Sequence, residues 1–497
     1  PERREAAVER PTKESRGRGE VLENRPGFVA RIAPAVTAEA FLRSRVRHCF
    51  EEVSMIGIQR APLLGDPWRA SLALERRMLA AVDAIVAMGP ASVAAVESIV
   101  MDAPAKDAAH VFGAAMIMGC LTGRDALAAA ERVFIAFELG DPEAAAGFAG
   151  ALKLVPHPSL PLVMRTWLAD PDPARRAVAI DVLGYRRLAN ADELARAAVD
   201  EPGVAAAALP HYARTRGPGV ADALSAALAS STLALRQSAW LAMALTADPR
   251  APGVLRAEMA GDNAVHAALP LAIVGDAKDA SELLERAFAT RSKAFITAVG
   301  WAGAATAIPS LIALLQVLAD DELKLAVAYA LDRITGAGLV ERTLVPPDQV
   351  MVPDVAEPAL PGEIAPQPKH LAALVSDPRD LPGDGAPDTL DQPTVDPARW
   401  LAFWKERETH FDPKGRFRRG WLYTPLVSLR EIDRWRCTPG ERRTLQRELA
   451  ARAGAWVHFD PHDFVVVQER SIEEWEPVAR HASGQPGAWT WPAARRP

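Results

Sequence analysis

Six segments of one make recur down the middle of this chain at a nearly constant interval, and that recurrence limits the fold more than any other property. They are DPDPARRAVAIDVLG from Asp170, DEPGVAAAALPHYAR from Asp200, SSTLALRQSAWLAMA from Ser230, GDNAVHAALPLAIVG from Gly261, ATRSKAFITAVGWAG from Ala289 and ADDELKLAVAYALDR from Ala319. Successive starts lie 30, 30, 31, 28 and 30 residues apart. Each segment opens on a small or acidic turn and continues as Ala-rich helix. A shorter amphipathic stretch precedes each one, such as PLVMRTWLAD, ADALSAALAS or PSLIALLQVLAD, with apolar residues three and four apart. A helix pair of this length cannot bury its apolar stripe alone, whereas stacking pair on pair buries it continuously. With more irregular pairs upstream, the spacing predicts about eight helix pairs between residues 90 and 336, an all-α solenoid.

Composition fits a folded chain and removes several alternatives. Apolar residues make up 49% of the 497 and charged residues 24%, more hydrophobicity than disorder allows. A net charge of -6 and a pI near 6.0 argue against a nucleic-acid binder. No apolar run reaches the length of a membrane span. The stretch PERREAAVERPTKESRGRGE lacks the apolar core of a signal peptide, so a cytoplasmic place is expected. Cys49, Cys120 and Cys437 are few and far apart, which predicts neither a disulfide framework nor a zinc site.

The ends differ from the middle. Residues 1–27 read as a disordered tail, and 28–89 as a helical N-terminal cap whose first helix starts at Thr37. The solenoid is expected over 90–340. Residues 341–396 carry many prolines and 11 acidic against three basic residues, which reads as an acidic linker with a short helix near 369–375. Residues 397–497 form a Trp-rich, mainly helical module with 18 Lys and Arg against 13 Asp and Glu, a charge able to pair with the linker. Asp396-Pro397, Thr424-Pro425 and Thr438-Pro439 mark helix starts, because proline at the first helical position has no needed N–H to lose. Thr438 with Glu441, and Ser471 with Glu474, have capping-box spacing. AWVHF and DFVVVQ read as two short strands around Asp460-Pro461-His462.

Two rows within the repeat are candidate partner contacts. Arg176, Arg236, Lys293 and Lys324 recur at the start of the second helices, either as a cationic row for an acidic partner or as a ladder to turn residues such as Asp170 and Asp320. Trp240, Trp301 and Tyr329 fall at nearly equivalent positions, either as anchors in a concave groove or as core. Aliphatic residues at the equivalent Ile180 and Leu271 favour core.

The segment DPDPARRAVAIDVLG resembles the HEAT-repeat pattern of acidic turn, basic residue and helically spaced Ala and Leu. AEAFLRSRVRHCFEE with LALERRMLAAVDAIVAMG, the array ending ALDRITGAGL, and the tail ARWLAFWKERETHFDPKGRFRRGWLYTPLVSLREIDRWRCTPGERRTLQRELA together resemble a family of uncharacterised proteobacterial HEAT-repeat proteins. Members are sometimes encoded near type VI secretion genes. The resemblance implies an α-solenoid without known activity, and a place near a secretion apparatus by gene neighbourhood alone. The long Pro-rich linker departs from that pattern.

Chemistry-bearing motifs are missing from the sequence. It has no His-Glu dipeptide of the kind that ligates iron in HEAT-type hydroxylases, no GxxxxGK[ST], no HExxH and no GxSxG. HFDP occurs at His410–Pro413 and at His458–Pro461, with His462-Asp463 following, and reads as a turn rather than a metal site. The expectation is a non-enzymatic scaffold or adaptor, without cofactor or metal, that binds a protein or peptide along the solenoid. A bilin-lyase-like, cofactor-handling enzyme of HEAT type is one alternative, and binding through the C-terminal module with the solenoid as spacer is another. Oligomeric state stays open.

Overall fold

A computed structural model describes residues 37–62, 67–102, 108–121, 123–136, 141–344, 389–435 and 437–489. The tail expected at 1–27 and the helix expected near 369–375 lie outside the described residues. The described residues open with α1 (Ala38–Gln59), whose cap Thr37 accepts from the Ala40 N–H at 3.1 Å. A 3-10 turn (Trp68–Ala70) leads into α2 (Ser71–Ala87).

Eight helix pairs follow among the described residues. They are α3 (Pro90–Asp102) with α4 (Ala108–Cys120), α5 (Arg124–Ala136) with α6 (Pro142–Leu154), α7 (Leu160–Trp167) with α8 (Pro173–Tyr185), and α9 (Ala191–Ala197) with α10 (Pro202–Thr215). The rest are α11 (Val220–Leu228) with α12 (Leu233–Leu245), α13 (Ala251–Met259) with α14 (Ala264–Val274), α15 (Ala277–Thr290) with α16 (Lys293–Ala302), and α17 (Ala307–Val317) with α18 (Asp321–Thr335). Two of the acidic turns are caps: Asp172 accepts from the Ala174 N–H at 2.9 Å and Asp320 from the Leu323 N–H at 3.0 Å; Asn190 with Glu193 forms a full capping box, while Glu201 ahead of α10 makes no side-chain cap.

The second helices pack on one another in series from α4 to α18, while from α7 onward the first helices lean mainly on their own partners. Small residues make that row tight. A Cβ on Gly300 would stand 2.7 Å from the Ala330 Cα, so α16 and α18 nearly touch through their backbones. The chain is therefore an α-solenoid over these pairs.

Beyond α18 the strands β1 (Val340–Leu344) and β2 (Thr389–Pro393) pair antiparallel, Val340 opposite Pro393 and Leu344 opposite Thr389. The C-terminal module then runs α19 (Pro397–Arg407), a 3-10 turn (Glu408–His410), the hairpin β3 (Phe417–Arg418) and β4 (Trp421–Leu422), α20 (Pro425–Arg434), α21 (Pro439–Ala453) and α22 (Val465–Ala482). Asp396, Thr424 and Thr438 cap the three helices that begin with proline, as their spacing predicts. Two local expectations fail. The module's strands lie at 417–422, not in AWVHF and DFVVVQ; Ala455–Phe459 is irregular and Val465 starts α22. The β-branched run is helical because the Glu75 carboxylate accepts from the Val465 N–H at 2.9 Å, fixing a helix start from 390 residues away. Ser471 is no cap: it lies inside α22 and donates to the Val467 carbonyl at 3.0 Å.

The module folds back along the array. α21 packs on α12 and α14, α19 on α17, β3 on α18, and α22 on α2. One continuous cluster of buried apolar side chains runs from Ile180 through the later repeats to Trp475 and Ala479. A second spans Val46 to Leu183.

Candidate functional site: the second-helix row and what covers it

A helix leaves its last carbonyls without intrahelical donors and carries partial negative charge at that end. The C-terminal ends of α14, α16 and α18 are supplied with donors by the module. Arg452 donates to the carbonyls of Ile273 and Gly275, both at 2.8 Å. Arg416 donates to Ala302 at 2.9 Å and Trp301 at 3.2 Å, and Arg418 to Trp301 at 3.0 Å. Backbone N–H groups of the hairpin do the same: Phe417 to the Gly303 carbonyl at 2.7 Å, Arg419 to Arg333 at 2.7 Å and Gly420 to Ile334 at 2.9 Å. Gly303 (φ 76°) and Gly336 (φ 58°) end their helices left-handed, and a side chain on either would run into the hairpin carbonyls of Phe417 or Arg419.

Buried carboxylates balance these guanidinium groups. Glu448 accepts from Arg418 at 2.8 Å, from Arg416 at 2.5 Å and from the Ser428 hydroxyl at 3.0 Å. Glu431 accepts from Arg419 at 2.9 Å and Arg333 at 3.2 Å, while Asp332 and Glu441 take further bonds from Arg419 and Arg333. Burial alone would push the Glu431 carboxyl up, but Arg419, Arg333 and Arg418 outweigh it and hold it below its ordinary value. Burial, then the cation of Arg416, brings Arg452 down to about 9.

The other end of the module is tied to the N-terminal hairpin. Trp68 donates to the Asp433 carbonyl at 2.9 Å, Arg69 pairs with Asp433 at 2.7 Å and Glu469 at 2.9 Å, and Arg442 stacks 4.2 Å above the Trp68 ring. Tyr185 of α8 donates to Asp463, and His458 Nε2 lies 2.9 Å from the same carboxylate. The two HFDP segments therefore serve contacts within the chain: His410 sits 3.0 Å from the Gly420 carbonyl, and Asp460 accepts from the His462 N–H at 2.8 Å. Among the described residues, no group of three or more His, Cys, Asp or Glu is placed to hold a metal ion.

Beside the module, part of the second-helix row is open. A groove of about 710 Å³ lies between α10, α12, α14 and α16 on one side and Thr444 and Arg447 of α21 on the other. Its shape follows from two prolines and several alanines. Pro210 and Pro270 stand inside α10 and α14. Pro210 has no N–H for the Ala206 carbonyl, and the Ser238 hydroxyl of the next repeat donates to that carbonyl at 2.6 Å instead. Ala206, Ala234, Ala244 and Ala294 leave the space, and Leu241, Val265, Leu269 and Ile273 make its apolar wall.

The residues singled out in the sequence are placed as follows. Arg176 pairs with Asp200 at 3.0 Å and donates to the Asp170 carbonyl at 2.9 Å. Arg236 donates to the Ser230 carbonyl at 3.0 Å, Lys293 pairs with Glu322 at 2.6 Å and Lys324 with Asp321 at 2.8 Å. Trp240 is buried in the groove wall, and its indole N–H has no acceptor among the described residues. Trp301 is buried beneath Arg333 and Arg418, whose guanidinium carbons lie 4.0 and 4.7 Å from its ring centre. Tyr329 is half-buried, and burial, then the carboxylates of Glu441 and Asp332, raise its hydroxyl to about 12. The groove brings in Trp240 alone of these seven. Sequence reasoning missed Arg447, and nothing in its local sequence distinguishes it from the other arginines of α21.

No protein-family model matches this chain, and no curated protein matches it.

Proposed function

We propose that the chain is a non-catalytic scaffold that holds a short segment of a partner protein in the groove between α10–α16 and α21. The observation that carries this reading is the groove itself, an open stretch of the second-helix row beside the place where the chain's own C-terminal module packs on α12 and α14. Its volume, near 710 Å³, and largely apolar wall with a few polar groups match what recognition sites use. Among the described residues, no single helix is long and apolar enough to cross a membrane. Action in the cytoplasm, as an accessory to a bacterial secretion apparatus, is part of the proposal and rests on the family resemblance alone.

A displayed random-peptide library, panned on the full chain, tests the reading. Val265 lines the groove and is 44% exposed, so Val265→Trp narrows it without entering the core. Peptides should be enriched on the wild-type chain and lost on the variant. Enrichment of the same peptides on both would remove the groove from the reading.

A further inference from the structure

The charges of the groove are one-sided. Seventeen of the described residues line it, and none is Asp or Glu, although the whole chain carries a net charge of -6. The one formal cation among them is Arg447. Its neighbours on α21 are all engaged. Arg442 donates to Gln468 at 2.5 Å, Arg443 reaches Asp460 at 3.5 Å, and Arg452 caps α14. Glu448, the next residue along, is taken up by Arg416 and Arg418. Arg447 makes no hydrogen bond and no ion pair among the described residues. Burial, then the nearby cation of Arg443, brings its guanidinium down to about 10, with Asp460 acting weakly in the other direction. It stays charged at neutral pH, stands half-buried in the groove wall and has no protein partner among the described residues, so it offers an incoming anion a charge-assisted bond.

The remaining polar groups say what kind of anion. Gln237 of α12, His266 of α14 and Thr297 of α16 line the groove and make no side-chain hydrogen bond among the described residues. They stand on three successive second helices rather than clustering at one end. An alkyl chain would leave them unmatched, whereas the spaced amides of an extended peptide offer each a partner. We infer that the groove selects an apolar peptide segment bearing one carboxylate, with that carboxylate seated on Arg447 and the flanking backbone bonded to Gln237, His266 and Thr297. This rests on the reading of the groove as the partner site and names the class of segment it takes.

The test uses the full chain, fluorescence anisotropy and two dye-labelled peptide pools. Both have Leu, Ile, Val and Phe at the outer positions; one has Glu at the centre and the other Gln. A charge-assisted bond at a half-buried site should make the Glu pool bind roughly 10-fold more tightly. Arg447→Gln should abolish the preference and Arg447→Lys should keep part of it, with thermal unfolding confirming that both variants fold. Equal affinity for the two pools, lowered by Val265→Trp, overturns the carboxylate inference and leaves the groove as a peptide site. Binding of neither pool, with oleate bound at the groove instead, overturns both.

Discussion

The Ser238 hydroxyl donates to the Ala206 carbonyl at 2.6 Å, the carbonyl that Pro210 deprives of its helical donor. A proline in one repeat and a serine in the next therefore form a single unit at the groove wall. Ser238→Ala should destabilise the chain by about 1 kcal/mol, because a half-buried acceptor loses its donor. In a Pro210→Ala background the same substitution should have almost no effect, since the backbone N–H regained at that position can bond the Ala206 carbonyl within α10. Urea unfolding of the four proteins of this cycle decides it; equal losses in both backgrounds would show that the two residues act separately.

The buried seam is expected to respond quite differently from the ladder between repeats. Glu448→Gln keeps the shape but leaves Arg416 and Arg418 without their shared carboxylate in a site fully closed to solvent. The expected loss is about 3–5 kcal/mol, the range for removing one partner of a buried pair. Lys293 and Glu322 are both largely exposed, and Lys293→Ala should change stability by less than about 1 kcal/mol. Denaturant titration of the two variants measures the contrast.

Gly303→Ala should loosen the hairpin without unfolding the array. The residue ends α16 with φ at 76°, and its added methyl would meet the Phe417 carbonyl. Limited proteolysis should then cut within 408–423 several times faster than in the wild-type chain. An unchanged cleavage pattern would mean that the hairpin can shift aside freely.

Asp181 sets an acid-side dependence. Burial alone would raise its carboxyl, but the hydrogen bond to His211 and the ammonium of Lys153, 2.6 Å away, bring it from 3.8 down to about 2. A depressed acid contributes stability that is present in full above its unfolded value and disappears as the pH falls through the folded one. The contribution is therefore complete at pH 5 and fades between about pH 4 and 2. Asp181→Asn should lower stability at neutral pH and flatten the profile across that window; parallel profiles for variant and wild type would contradict it.

How much of this was legible in the sequence depends on the distance over which each feature is decided. The period near 30 residues fixes helix pairs locally, and Asp172, Asn190, Asp320 and Thr438 announce their own helix starts, so array and caps could be read directly. The run from Val465 could not, because its first N–H is satisfied by Glu75, far away in the chain. Likewise nothing in the run RFRRG marks Arg416 and Arg418 as wholly buried, yet they are packed against carbonyl ends more than a hundred residues earlier. Helix-end carbonyls leave no mark in a pattern of side chains, so the groove's border on α21, and Arg447 with it, came into view only once the two parts were seen packed.

The bond between Glu75 and Val465 also carries a consequence for biosynthesis. The carboxylate is made 390 residues before the amide it will hold. At roughly 5–20 residues per second, a ribosome needs about 20–80 s to cover that interval. Throughout it the helices already formed keep open carbonyl ends and an unfilled apolar face, so the nascent chain completes this part of its interior only after Val465 and the helix it starts have been made.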